Sequence, residues 1–251
     1  MNEAHEEFAI GDFEKHCEVR GFSLTGMQID QFVRYAHGLQ KWNDRVNLTA
    51  IVDFGGILLK HFVDCLELIP VMQSLSGVEG LTVGPLLDFG TGAGFPGLVL
   101  KLAIPDLSVT LCDSLRKRTD FLEHVVDDLG LSDVTVIHGR AEELASHREH
   151  REQFLQVVAR AVARLSVLAE LAGPLVDVGG FFHAMKGPSP ETEMDDARVA
   201  MERVGFSHTV VNRYSLPLNA GDHTVVSLYK DRHTSNRFPR KMGDAQRSPL
   251  V

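Results

Sequence analysis

The chain has 251 residues, 44% of them hydrophobic and 24% charged, enough for a substantial core in one large domain or one domain with a small appendage. With 22 Gly and 10 Pro it is neither collagen-like nor broadly disordered. A net charge of −9, from 25 Lys and Arg against 34 Asp and Glu, excludes a wholly basic nucleic-acid binder and leaves room for a local basic patch.

The opening residues, MNEAHEEFAIGDFEKHCE, lack a basic start followed by an apolar run, and no later stretch approaches the roughly 18 apolar residues of a membrane span. A cytoplasmic protein is expected. Cys17, Cys65 and Cys112 stand far apart with no C-x-x-C pair, so neither a disulfide framework nor a bound metal is expected. Residues 1–80 read as a helical extension. There Thr25 and Gln28 have capping-box spacing, and Ile29, Phe32, Val33, Ala36 and Leu39 recur with helical period, predicting a helix that ends near Trp42-Asn43. A second helix is expected from Ile57 to Ile69, before Pro70, with His61 and Asp64 sharing one of its faces.

Residues 81–230 alternate strand-like and helix-like runs. LTVGPLLDF leads into GTGAGFPG, followed by a helix through residues 96–103, the strand SVTLCD, a helix around 116–129, the strand DVTVIHG, the short helix AEELASHRE and the strand FLQVVA. Arg160 and Ala161 open the next turn and helix. The strand GGFFHAMKG, a helix over 190–204 and the strands SHTVVNRY and HTVVSLYK complete the series; the last two could pair as an antiparallel edge hairpin. This alternation predicts an α/β fold with a mostly parallel sheet covered by helices. Residues 231–251 form a basic tail, where Arg232, Arg237, Arg240, Lys241 and Arg247 outweigh Asp231 and Asp244. Pro239, Gly243 and Pro249 argue against a continuous helix, so a mobile basic arm or an extended segment is expected.

Gly90-Thr91-Gly92-Ala93-Gly94 lies between a predicted strand and a helix that begins near Phe95-Pro96. Glycines permit the tight turn, remove Cβ atoms that would block a ligand and let helix-start amides face it. Two cofactor classes fit the string. Gly92-x-Gly94-x-x-Gly97 satisfies a dinucleotide fingerprint, with Asp113 about 21 residues onward for a ribose. The register Asp88-x-Gly90-x-Gly92-x-Gly94 instead puts an acid at the strand end, where it attracts the amino group of an S-adenosylmethionine tail and repels a pyrophosphate. Ala141-Glu142 after the third strand is placed to flank an adenine. These cues favour S-adenosylmethionine over NAD. No Gly-Lys-Ser/Thr closes a Walker A loop.

DFGTGAGFPG, CDSLRKRTDFLEHV, HGRAEE and ARAVARL, with the earlier WNDRVNLTAI and H-x-x-D-C-L and the later KG and FPRKMG, occur in the order seen in the RsmG/GidB family, which the chain resembles from about residue 25 through the tail. The resemblance implies a Rossmann-like class I S-adenosylmethionine-dependent methyltransferase fold, with a mostly parallel seven-stranded sheet and an N-terminal helical extension. It implies methyl transfer from S-adenosylmethionine to N7 of guanine 527 in 16S rRNA. It assigns Gly90 and Phe95 to the cofactor pocket, Gly92 to the shape of the loop, Asp113 to the ribose hydroxyls, and Ala141 and Glu142 to the adenine end. Arg160 is placed at the mouth shared by cofactor and substrate, as the candidate catalytic residue. The chain departs from the family at Phe154-Leu155-Gln156, where an aromatic–Asp pair is usual; the effect is expected at the start of the fourth strand and not on the cofactor.

The implied partner is 16S rRNA or a small-subunit assembly particle, without membrane or metal, and the chain is expected to act as a monomer. Arg116, Lys117, Arg118, Lys186 and the tail arginines are candidate phosphate contacts, and Asn43 and Asn47 could shape the pocket entrance. Plainer readings stand beside these: Phe95 as core, Asp113 as a strand-end turn residue, Glu142 as a helix-start acid, Arg160 as an ion pair with a nearby acid. The alternatives in function are a small-molecule S-adenosylmethionine-dependent methyltransferase and a noncatalytic RNA-binding or ribosome-assembly protein.

Overall fold

The sheet is built by period-two alternation. Along β1 (Leu86–Phe89), Leu86 and Asp88 point to one face and Leu87 and Phe89 to the other. All four are buried, because helices cover both faces. The computed structural model describes residues 8–76, 84–160 and 163–251. Its other strands are β2 (Val109–Asp113), β3 (Val134–His138), β4 (Phe154–Arg160), β5 (Val176–Lys186), β6 (Phe206–Ser215) and β7 (Asp222–Lys230), in the sheet order β3-β2-β1-β4-β5-β7-β6. The first five are parallel, and β7 runs antiparallel to both β5 and β6. The Rossmann-like α/β fold with a mostly parallel seven-stranded sheet is as expected. The start of β4 is irregular at Phe154-Leu155-Gln156, as expected: Phe154 pairs with Val176, but Gln156 pairs with Phe181.

One face carries α1 (Ile10–Val19), α2 (Gly26–Val46), α3 (Phe54–Ile57), a π-helical stretch (Leu58–Val63), α4 (Asp64–Leu66), α5 (Leu68–Ser76), α6 (Gly97–Ala103) and α7 (Arg116–Leu129). Phe13, Phe32, Tyr35 and Phe62 from the N-terminal helices enter the same core as Leu86, Leu111 and Val158 of the sheet. The other face carries α8 (Ala141–Leu144), α9 (Leu165–Ala172), α10 (Glu191–Val204) and α11 (Asp244–Arg247).

Two helix ends differ from the sequence reading. The Thr25 capping box forms, but α2 runs past Asn43 to Val46 and stops where Asn47 takes a left-handed φ of 51°. Pro70 does not end its helix: it sits in the first turn of α5, where a missing N–H removes no helix bond. The break falls at Glu67, whose buried carboxylate bonds His16 and Arg20 and so locks α1 to this segment.

The basic tail is not a free arm. Its backbone is irregular, as Pro239 and Gly243 require, but side chains of the domain bind it along its length. Arg151 donates through Nη1 to the Phe238 carbonyl (2.9 Å) and through Nη2 to that of Thr234 (3.0 Å). Glu152 accepts from Thr234 N (2.7 Å) and from the buried Lys230 (3.0 Å). Arg240 grips the fully buried Glu170 through Nε (2.8 Å) and Nη2 (2.6 Å). Arg240 is therefore a structural cation, not a phosphate contact. Replacing one partner of a buried pair strands the other, at a cost of about 3 kcal/mol. Urea unfolding of Arg240→Ala is expected to show that loss, whereas the exposed Arg237→Ala changes stability by less than about 0.5 kcal/mol. Equal small effects would mean that this pair does not hold the tail.

Candidate functional site

The β1–α6 turn depends on left-handed backbone at Gly90, Gly92 and Gly94, with φ of 68°, 63° and 99°. A Cβ at Gly92 would meet nothing within 4 Å, so a side chain there costs backbone strain, about 1–2 kcal/mol, and the loop is open on that side. A Cβ at Gly94 would lie 2.6 Å from Tyr35 Oη, and one at Gly97 would lie 2.8 Å from Asp88 Cβ. Close packing thus requires Gly94 and Gly97, whereas conformation alone requires Gly92. Tyr35 seats the loop: its ring stacks on Phe62 at 5.1 Å, and its hydroxyl donates to the Ala93 carbonyl. Sequence reasoning did not single it out, although it lies three residues after Phe32 on the same helix face.

Asp88 is fully buried below the turn. Its Oδ2 accepts from Gly97 N (2.7 Å) and Thr91 Oγ1 (2.6 Å), while Oδ1 has no partner among the described residues. Burial pushes this acid up to about 7, although the two hydrogen bonds and Arg160 act against it. A buried carboxylate oxygen without a donor is costly, and a cationic group reaching it would relieve that cost.

Asp113, at the end of β2, accepts from Gly92 N (3.0 Å), Leu115 N (2.9 Å) and Arg118 Nη1 (3.2 Å). A carboxylate offers about four acceptor sites, so a ribose diol fits here if the partly exposed Arg118 swings aside. Ala141 is buried at the start of α8, and Glu142 accepts from Gly243 N of the tail (3.1 Å). Phe95 is buried, with the His61 ring 4.5 Å away and Arg160 Cζ 4.8 Å from its ring centre.

Arg160 is held on several sides. Nη1 donates to Asp64 Oδ2 (3.0 Å) and to the Lys60 carbonyl (3.4 Å), and Nη2 meets His61 Nδ1 at 3.2 Å. His61 Nδ1 thus lies between the guanidinium, which only donates, and the Lys60 carbonyl at 3.1 Å, which only accepts, while Nε2 is 2.8 Å from Thr49 Oγ1. Burial, with Arg160 adding to it, pushes His61 down to about 4, and the ring is neutral at pH 7. The π-helical stretch brings Lys60 and His61 alongside Asp64 to meet one guanidinium. Asp64 Oδ1 accepts from Tyr214 Oη (2.7 Å) and His223 Nδ1 (2.8 Å). The acid that pairs with Arg160 therefore comes from the helical extension.

Other expectations resolve differently. Lys186 is spent on the Ala163 carbonyl (2.6 Å) and Glu193 (2.7 Å). Asn43 and Asn47 build the turn after α2, with Asn43 Oδ1 accepting from Thr49 N at 2.8 Å. Arg116 and Lys117 are exposed. Ala161 lies outside the described residues. Among the described residues no three His, Cys, Asp or Glu side chains form a metal-binding group, and no helix is long and apolar enough to cross a membrane.

A family model described as rRNA small subunit methyltransferase G, GidB, matches residues 28–219. The chain belongs to the GidB family. Proteins named ribosomal RNA small subunit methyltransferase G resemble it along nearly their whole length. That of Halalkalibacterium halodurans is 44% identical, over 96% of this chain and 99% of its own. That of Streptococcus thermophilus is 42% identical, over 95% and 98%. Two solved structures share the fold at low identity. The CMeT domain of a citrinin polyketide synthase has a TM-score of 0.51 at 11% identity, over 68% of this chain and 53% of that one. A mutant of MtNAS has a TM-score of 0.52 at 14% identity, over 92% and 78%.

In this GidB-family chain the site residues missed from sequence are Tyr35, Tyr214 and His223. The last two lie on late strands, where nothing local marks them. Burial raises Asp64, but His223, Arg160 and Tyr214 outweigh it and hold the carboxyl below its ordinary value. The bond to Asp64 raises His223 above its ordinary 6.5. The sign follows. The His223 contribution to stability is full below about 6.5 and lost as pH rises through the folded value. That of Asp64 is present above about 3.9 and lost as pH falls through its lower folded value. An NMR titration is expected to place the His223 midpoint above 6.5, and Asp64→Asn is expected to lower it. An unchanged midpoint in the variant would contradict the pairing.

Proposed function

We propose that this chain transfers the methyl group of S-adenosylmethionine to N7 of guanine 527 in 16S rRNA, acting on the RNA or a small-subunit assembly particle. The observation that carries the reading is the strand-end Asp88, buried below the glycine turn with one oxygen that has no donor among the described residues, together with the open side of Gly92, in a chain of the GidB family. Asp88 would meet the amino group of the methionine tail, Gly90 and Gly92 would shape the loop around it, and Asp113 would take the ribose hydroxyls. Ala141 and Glu142 would border the adenine, with Phe95 and Arg160 at the mouth. When bound, S-adenosylmethionine supplies a methyl group carried on a sulfonium.

Guanine N7 already has an in-plane lone pair, so no base is required before attack. The cofactor, held by Asp88, Asp113 and the Gly90–Gly94 turn, would supply that lone pair with an electrophilic methyl. The protein's contribution is then alignment and exclusion of water. Arg160 suits alignment, because Asp64, His61 and the Lys60 carbonyl fix its planar fork and leave its remaining N–H groups in set directions. The exposed Arg116, Lys117, Arg237 and Lys241 are left to meet phosphates.

Labelled methyl transfer to small-subunit particles, mapped at base resolution, tests the reading; no transfer, or transfer only to another atom, overturns it. Arg160→Lys keeps the charge and loses the fork. Its single-turnover rate is expected to fall about tenfold, equivalent to about 1.4 kcal/mol, by more than any loss of stability explains. An unchanged rate would remove Arg160 from alignment and leave the enzyme reading standing. Gly92→Val puts a β-branched side chain at a φ of 63° and is expected to weaken S-adenosylmethionine binding in calorimetry. Unchanged affinity would refute the role of the loop.

A further inference from the structure

A cavity of about 310 Å³ opens at the carboxyl-terminal edge of the sheet, lined by Pro188, Arg213, Tyr214, Ser215, Asp222 and His223. It is not over the glycine loop, yet contacts connect the two. Arg160 lies against Phe95 of the loop and bonds one oxygen of Asp64, whose other oxygen bonds Tyr214 and His223 of the cavity wall.

The wall carries more than the end of the β6–β7 pairing needs. Ser215 and Asp222 are its last paired residues, and the Ser215 hydroxyl donates to Asp222 Oδ1 at 2.6 Å. That bond uses one carboxylate oxygen; Oδ2 has no partner among the described residues. His223 is anchored through Nδ1, and its Nε2 likewise has none. The Tyr214 and His223 rings, 5.7 Å apart, and Pro188 supply flat faces, while the exposed Arg213 stands at the rim, bonded to Glu191.

We propose that this cavity receives the acceptor base and that Asp222 selects guanine; the assignment rests on the guanine reading given above. The volume lies at the lower end of the roughly 300–1,000 Å³ typical of ligand pockets, room for one purine nucleoside removed from its stack. The Watson–Crick edge of guanine presents N1–H and a 2-amino group, both donors, to which a carboxylate can only accept. Adenine presents a lone pair at N1 and is repelled. With that edge on Asp222, N7 lies on the opposite side of the purine, free of the contact that identifies the base.

Single-turnover methyl transfer on reconstituted small-subunit particles with guanine or hypoxanthine at the target tests this. Hypoxanthine keeps N7 and N1–H and lacks only the 2-amino group. The guanine-over-hypoxanthine preference of the wild type is expected to exceed that of Asp222→Ala about tenfold, the intrinsic reactivities cancelling in the ratio. Asp222→Asn, of nearly the same shape, is expected to fall between them, with S-adenosylmethionine affinity unchanged in both variants. Equal preferences in all three proteins, alongside wild-type methylation at N7, overturn the cavity assignment alone. Lost cofactor affinity in both variants overturns it as well, by placing Asp222 in the cofactor machinery. Absence of wild-type transfer to N7 overturns the proposed function and this assignment together.

Discussion

A carboxylate stays charged in an apolar interior only when donors reach both of its oxygens, and Asp64 satisfies that requirement from three separate strands. Arg160 comes from the end of β4, Tyr214 from β6 and His223 from β7. The consequences spread outward from this one group. It ties the N-terminal helices to the carboxyl-terminal edge of the sheet, fixes the Arg160 fork against Phe95, and shapes one wall of the cavity beyond. The π-helical stretch before Asp64 has a physical reason in the same place, since it presents a carbonyl and an imidazole to the guanidinium that Asp64 binds.

The opposite face obeys the same rule with other partners. Glu170 is buried and recruits Arg240, and Lys230 is buried and recruits Glu152 together with the Val176 carbonyl. These demands bring the tail back over the sheet, where Gly243 reaches Glu142 near the end of β3. The tail and α8 are therefore parts of one surface.

This division of labour bears on how a chain with a net charge of −9 can meet RNA. Several of its cations are already committed: Arg118 to Asp113, Arg160 to Asp64, Lys186 to Glu193 and Arg240 to Glu170. What remains for phosphates is sparse and local, including Arg116, Lys117, Arg237 and Lys241. A few placed contacts of that kind position a substrate without conferring general affinity for nucleic acid.

Much of the fold was legible because it rests on local rules. Strand and helix periods marked the strands and most helices, the Thr25–Gln28 pair marked the start of α2, and the glycines marked a turn whose left-handed backbone they alone adopt cheaply. Asp88 and Asp113 were legible for the same reason, each lying a fixed distance along the chain from that turn. The partner of Arg160, the commitment of Lys186 and Arg240, the roles of Tyr214 and His223 and the docking of the tail were not legible. Each depends on a buried charge or polar group finding its complement on a segment far away in sequence. Neighbouring residues determine backbone conformation and hydrophobic period, whereas only tertiary packing decides which distant side chains meet, because desolvation makes the pairing of buried charges a property of the assembled interior.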